Sequence, residues 1–257
     1  MDSNQTHFGF KQVDRGLKAG LVKEIFSNVA RKYDLMNDLM SAGIHRIWKD
    51  KMVAEVTGHR LENSSEIKVL DLAGGTGDIA FRIAKKFRAA AKKYAIDVVD
   101  INAEMLEVGK ARAVDLNLFS NLNFQVCDGE NLAFAADETY DFFTIAFGIR
   151  NFTNPDKALL EAHRVLKKGG KFICLEFSRV NDYFLQKIYD TYSFTVIPKI
   201  GELVLKDRES YQYLVESIRK FPPQDEFKKM IEAAGFSKVS YRNLSGGVAA
   251  IHVGVKL

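Results

Sequence analysis

Asp71-Leu72-Ala73-Gly74-Gly75-Thr76-Gly77-Asp78 is the segment of this chain best suited to hold a ligand. A short apolar run, Ile67–Leu72, precedes it, and Ile79, Ile83 and Phe87 follow at helical spacing. Glycines at such a strand-to-helix junction allow the dihedrals of a tight turn, and they let a ligand approach the backbone with no Cβ in the way. Asp100 ends the next β-rich run, about 20 residues further on, where a carboxylate can accept from both hydroxyls of a ribose. The loop has neither the GxGxxG spacing of dinucleotide sites nor the GxxxxGK[ST] of a P-loop. Asp78 would also repel a pyrophosphate at the helix start. Asp71, the Gly75-x-Gly77 spacing and Asp100 instead suit a nucleoside with a cationic or zwitterionic end, and S-adenosylmethionine fits that description. Asp128 or Gly129, ending the following strand, then meets the adenine. The competing readings are a structural turn for the loop and a surface cap for Asp128.

A second cluster ends the strand Tyr140–Phe147: Ala146-Phe147-Gly148-Ile149-Arg150-Asn151. In parallel sheets ligands meet at the carboxyl ends of the strands. No Asn/Asp-Pro-Pro-aromatic turn is present there to hold an exocyclic base amine. Cys127 and Cys174 carry no activating motif and read as buried small hydrophobes. No tight Asp/Asn cluster suits a metal. An electron-rich carbon acceptor remains, such as a phenolate that pushes charge onto its ring carbons. Arg150 can stabilise that oxyanion, or polarise a water that removes the ring proton while Asn151 orients it. Arg stays protonated and is no free base. Its competing reading is a salt bridge to the N-terminal cap. His45 is the one histidine that suits a base, though at a helix start it reads more readily as a cap or packing residue; His163 and His252 read as structural.

These residues need a scaffold, and the pattern supplies one. Apolar strands alternate with helical segments, which implies right-handed βαβ crossovers and a parallel sheet covered on both faces. The expected architecture is α/β and Rossmann-like, with seven mostly parallel strands and one antiparallel C-terminal strand. Residues 1–60 read as a loose arm (1–19) and a helical cap, with stripes at Val22, Ile25, Phe26 and Val29 and again from Ile47 to Val56. Residues 66–180 form the cofactor-binding core, in which Gly169-Gly170 end the helix that starts at Pro155. Residues 181–222 read as a helical insertion and 223–257 as a helix and an antiparallel strand pair. The 257 residues are 47% hydrophobic and 27% charged, which excludes a disordered or fibrous chain. Lys and Arg number 37 against 33 Asp and Glu, a net charge of +4. That suits a nucleic acid, an anionic membrane or an acidic substrate and selects none of them. Two cysteines without CxxC spacing exclude a disulfide scaffold. No run approaches the ~18 apolar residues of a membrane span. MDSNQTHFGF reads as neither a secretory nor a transit peptide.

Five segments carry a family resemblance: FSNVARKYDLMND at 26–38, SAGIHRIWK at 41–49, the 71–78 loop, FGIRN at 147–151 and YQYLVESIRKFP at 211–222. Through them the chain resembles the class I S-adenosylmethionine-dependent methyltransferases, and more narrowly the ubiquinone/menaquinone biosynthesis C-methyltransferases of the UbiE/MenG type. Only the loop is shared widely. The resemblance runs from about residue 6 to the C-terminus and departs in two places. Position 73 is Ala where the broad class often has Gly. Ala146 stands where some relatives carry Ser, which removes one hydroxyl contact.

The resemblance implies S-adenosylmethionine as cofactor, S-adenosylhomocysteine as product and no metal. Its cofactor-binding positions are Asp71, Ala73, Gly74, Gly75, Thr76, Gly77, Asp100, Ile101, Asp128, Gly129 and Ala146. Its catalytic positions are Arg150, Asn151 and Tyr33. The implied substrate is a prenylated quinol, a methoxybenzoquinol, demethylmenaquinol or both. Tyr183, Phe184, Tyr189, Tyr192, Phe194, Ile197 and Ile200 then line a channel for the prenyl tail, or else form the insertion's own core. Tyr211, Tyr213 and the Ser217–Phe221 run close over the site as a lid. Lys187, Lys199, Lys206, Arg219 and Lys220 rest on an anionic bilayer, each adding about 1 kcal/mol. A bacterial cytoplasmic protein, peripheral on the inner face of the membrane, is expected. Its partners are a quinone-biosynthesis assembly and a second copy of itself, with no nucleic acid. The alternatives are methylation of a soluble phenol or other small molecule, and a non-catalytic cofactor-binding member of the assembly.

Overall fold

The computed structural model describes residues 5–29, 38, 41, 43–58, 66–180 and 208–257. A β-hairpin, β1 (Gln5–Phe8) and β2 (Lys11–Asp14), leads directly into α1 (Arg15–Val29). This replaces the loose arm expected there. Nothing in its polar sequence announces a strand, because the hairpin is held from outside. Phe8 stacks on Tyr213 with ring centroids 4.4 Å apart, and Phe10 N donates to Glu216 Oε2 at 2.9 Å.

The cap continues in α2 (His45–Thr57). Then β3 (Ile67–Leu72), α3 (Asp78–Ala89), β4 (Tyr94–Asp100), α4 (Ala103–Asp115), β5 (Leu122–Val126) and β6 (Tyr140–Ala146) alternate as expected. After them come α5 (Pro155–Val165), β7 (Leu166–Phe177), α6 (Arg208–Lys220), α7 (Gln224–Ala233), β8 (Ser237–Leu244) and β9 (Ala249–Val255). The seven strands from β3 onward form one sheet in the order β5-β4-β3-β6-β7-β9-β8. Pairing is parallel from β5 to β7, and β9 runs antiparallel to both its neighbours.

Alternate strand residues feed two separate apolar clusters, one on each face of the sheet. Val69, Phe142 and Ile173 pack with α2, α3 and α6, while Leu70, Phe143 and Phe172 pack with α5 and α7. Two caps are legible as residue types. Asn102 accepts from the Glu104 and Met105 amides, and Asn154 caps α5 ahead of Pro155.

Two further expectations fail. Gly169-Gly170 do not end α5. That helix stops at Val165, and Leu166 turns straight into extended backbone. The glycines lie inside β7, where Gly169 N donates to Lys256 O and the β6–β7 register shifts. Nor is α6 a lid: Tyr211, Leu214, Val215 and Ile218 are core residues. The seven residues expected to line a tail channel, together with Lys187, Lys199 and Lys206, lie outside the described residues.

Trp48 fixes α2 to the sheet. Its ring meets the Phe177 ring edge-on at 6.1 Å, and Nε1 donates to Ser245 Oγ. Trp48→Ala is expected to cost about 3–5 kcal/mol of folding free energy, read by urea denaturation. A loss under about 1 kcal/mol would mean that α2 is not anchored there.

Candidate active site

A cavity of about 310 Å³ opens at the carboxyl ends of β3, β4 and β6, within the size range of small-ligand sites. Its wall holds Asp71, Ala73, Gly74, Gly75, Thr76, Asp100, Ile101, Asp128, Gly129, Ala146 and Asn151. Gly77 is absent from that wall. It starts α3 with φ +83°, and a Cβ there would lie 2.6 Å from the Phe81 ring, so its work is in the turn and the helix packing. Gly75 is on the wall with φ +51° and with Met105 Cε 2.9 Å from where a Cβ would sit. Ala73 and Phe147 also hold positive φ, at 52° and 56°. Such strain in side-chain-bearing residues gathers at ligand sites.

Two carboxylates set the electrostatics. Asp71 is fully buried; Thr144 Oγ1 donates to its Oδ1 at 2.7 Å, while Oδ2 has no hydrogen-bond partner among the described residues. Burial pushes its carboxyl up to about 7. Asp100 accepts from Gly75 N at 3.0 Å and from Asn102 N at 2.8 Å. Burial also raises it, to about 6, although these amides favour the charged form. An orphaned buried oxygen and a second raised carboxyl leave an unmet demand for a cation at Asp71 and for hydrogen-bond donors at Asp100. An ammonium and a ribose supply both, so these residues fit S-adenosylmethionine.

Asp78 does not face the cavity as a bare anion. Burial works against its charge, yet Lys49, 2.8 Å away, and Arg82 hold it below the usual carboxylate range. Lys49 is itself buried and on the cavity wall.

The acceptor side separates two residues that are adjacent in sequence. Asn151 reaches the wall, in the turn Ile149–Asn151. Arg150 does not. Its side chain is 2% exposed, and its guanidinium donates to Glu176 Oε1 at 2.8 Å, to Ser217 Oγ at 3.3 Å and to the Phe147 carbonyl. Its ion-pair partner is thus on β7, not in the N-terminal cap. Tyr33 lies outside the described residues. His45 is buried and bonded to Asp38 at 2.8 Å, and His252 to the Gln224 carbonyl, both as structural groups. Cys174 is buried as expected, but Cys127 is half-exposed on the cavity wall.

Sequence reading missed one whole wall. Arg15, Ala19, Val22, Lys23 and Phe26 of α1 line the cavity. The apolar stripe through Val22 and Phe26 was legible, but not what it covers. Both ends of the helix are tethered: Lys18 Nζ donates to Phe152 O at 2.7 Å, and Asn102 Nδ2 to Lys23 O and Ser27 Oγ.

Strand order and cavity define the class I methyltransferase fold. Solved structures share it: an Aquifex aeolicus S-adenosylmethionine-dependent methyltransferase (TM-score 0.53, 16% identity, covering 81% of this chain and 89% of that one) and the DszA carbon methyltransferase (TM-score 0.60, 15% identity, covering 83% and 55%). Within that class the chain belongs to the ubiE/COQ5 methyltransferase family, whose sequence model matches residues 14–256. Membership of this family implies use of S-adenosylmethionine. A Rickettsia felis protein is 53% identical over 254 residues, 99% of this chain and 100% of its own. One from Rickettsia rickettsii is 53% identical over 249 residues, 97% and 98%. Both are named ubiquinone/menaquinone biosynthesis C-methyltransferase UbiE.

An unfolded carboxyl titrates near 4, so the raised values of Asp71 and Asp100 make the ligand-free fold less stable as pH rises from about 4 to 7. An ammonium beside Asp71 favours its charged form and works the other way. The rise in Tm caused by S-adenosylhomocysteine is therefore expected to grow between about pH 5.5 and 7.5, and to grow less in Asp71→Asn. A rise that ignores pH would remove this carboxylate from the binding site.

Proposed function

We propose that this chain transfers a methyl group from S-adenosylmethionine to a ring carbon of a prenylated quinol, a benzoquinol or a naphthoquinol, in quinone biosynthesis. The single observation that carries the reading is the cavity at the strand ends, where the buried Asp71 and the half-buried Asp100, both raised carboxyls, lie on the same wall as the Asn151 amide. The full-length relatives supply the acceptor class.

Asp71 Oδ2 takes the ammonium of the cofactor's amino-acid end, Asp100 its ribose hydroxyls, and the Asp128–Gly129 turn its adenine. When bound, the cofactor supplies an electrophilic methyl on a sulfonium. The enzyme's own work is then to position the ring, exclude water and stabilise the ionised quinol oxygen. Phe147 and Phe152 add apolar surface to the wall. Asn151 donates to the quinol oxygen. Arg150 acts behind it by fixing the turn from Gly148 to Asn151, in place of the direct oxyanion contact expected from sequence. Tyr33 keeps its proposed catalytic role on the resemblance alone.

Among the described residues no helix is long and apolar enough to cross a membrane. A prenylated substrate nonetheless lives in one, and we assign the protein a peripheral, salt-sensitive contact with an anionic bilayer on its cytoplasmic face.

Asp100→Ala is expected to weaken S-adenosylhomocysteine binding at least about tenfold by calorimetry, since it removes a charged acceptor; wild-type affinity would refute the ribose role. Turnover should be much faster on a prenylated quinol than on its tail-less analogue. Equal rates on the two would favour a soluble phenol as substrate.

A further inference from the structure

One side of α6 bonds both residues of the Arg150-Asn151 pair. Tyr213 Oη donates to Asn151 Oδ1 at 3.0 Å, and one turn later Ser217 Oγ accepts from Arg150 Nε at 3.3 Å. Residues four apart on a helix share a face, so a single rigid element sets both side chains. Tyr213 is itself fixed. It is buried, and its ring stacks on Phe8 of the hairpin at 4.4 Å with an interplanar angle of 28°. Burial also holds its hydroxyl well above the ordinary tyrosine range, so that it stays a donor.

A carboxamide has an acceptor side and a donor side. With Oδ1 engaged by Tyr213, the amide plane of Asn151 is set and Nδ2 is the group left over. Among the described residues Nδ2 makes no hydrogen bond, although Asn151 lies on the cavity wall. We propose that Tyr213 is a positioning residue of the methyl transfer: its hydroxyl pins the Asn151 amide so that Nδ2 points at the acceptor oxygen. The inference rests on the reading of Asn151 as the donor to that oxygen. Tyr213 itself is not on the cavity wall, so it acts through Asn151.

The test is a double-mutant cycle of Tyr213→Phe and Asn151→Ala, assayed with a prenylated quinol alongside S-adenosylhomocysteine affinity and Tm. The phenylalanine keeps the stack on Phe8 and removes only the hydroxyl. It is expected to lower kcat about tenfold with the quinol KM and the S-adenosylhomocysteine affinity unchanged. Asn151→Ala should lower kcat about 100-fold, and the double variant no further. Wild-type kcat in Tyr213→Phe beside an impaired Asn151→Ala overturns the proposal while leaving the role of Asn151 intact. So does a double variant whose loss is the product of the two single losses. Loss of cofactor affinity in step with activity in Tyr213→Phe would assign the hydroxyl to the fold and overturn the proposal too. Full activity in Asn151→Ala removes the underlying reading, and the positioning role with it.

Discussion

The buried pair between Arg150 and Glu176 is the contact on which the acceptor half of the site depends. Each side chain is 2% exposed and the two meet at 2.8 Å. Removing one partner of such a pair costs about 3–5 kcal/mol, because the other charge is stranded. The pair joins the turn after β6 to the end of β7, and Arg150 carries the connection on to α6 through Ser217. It also explains how Phe147 holds a positive φ. The Phe147 amide bonds to Leu175 O at 2.8 Å, its carbonyl takes the Arg150 guanidinium, and its ring lies 4.7 Å from that of Phe177. A strained residue persists when its surroundings over-determine it.

The cofactor half works by the opposite device. There Asp100 is held only by backbone amides, and the fold leaves Asp71 Oδ2 without a hydrogen bond among the described residues. A buried acceptor without a donor is a cost of about 1–3 kcal/mol to the empty protein. That cost is relieved by a ligand which brings a cation. One wall thus gives up stability for affinity, and the adjoining wall spends an ion pair on rigidity.

The parts legible in the sequence were those written in local pattern. The Asp71–Asp78 loop, Asp100 and the alternation of strands and helices carry their meaning in spacing, and they stand where that spacing put them. Contacts made at long range were not legible. The hairpin Gln5–Asp14 is polar and gains its order from Tyr213 and Glu216, some 200 residues away. Gly169-Gly170 sit where a helix cap belongs, yet the chain had already turned extended at Leu166. Arg150 at a strand's carboxyl end reads as a ligand-facing cation, because its counter-charge, Glu176, lies one βαβ crossover further along. Lys49 reads as an ordinary charged helix position, and only the packing of α2 brings it beside Asp78.

The tethered first helix bears on what an arriving ligand finds. Three hydrogen bonds, from Lys18 and Asn102, hold it beside the cavity, and Val22 and Phe26 bury apolar surface beneath it. Moving it aside means exposing that apolar surface, at about 25 cal/mol per Å², as well as breaking the bonds, so a ligand meets a built wall and not a loose flap.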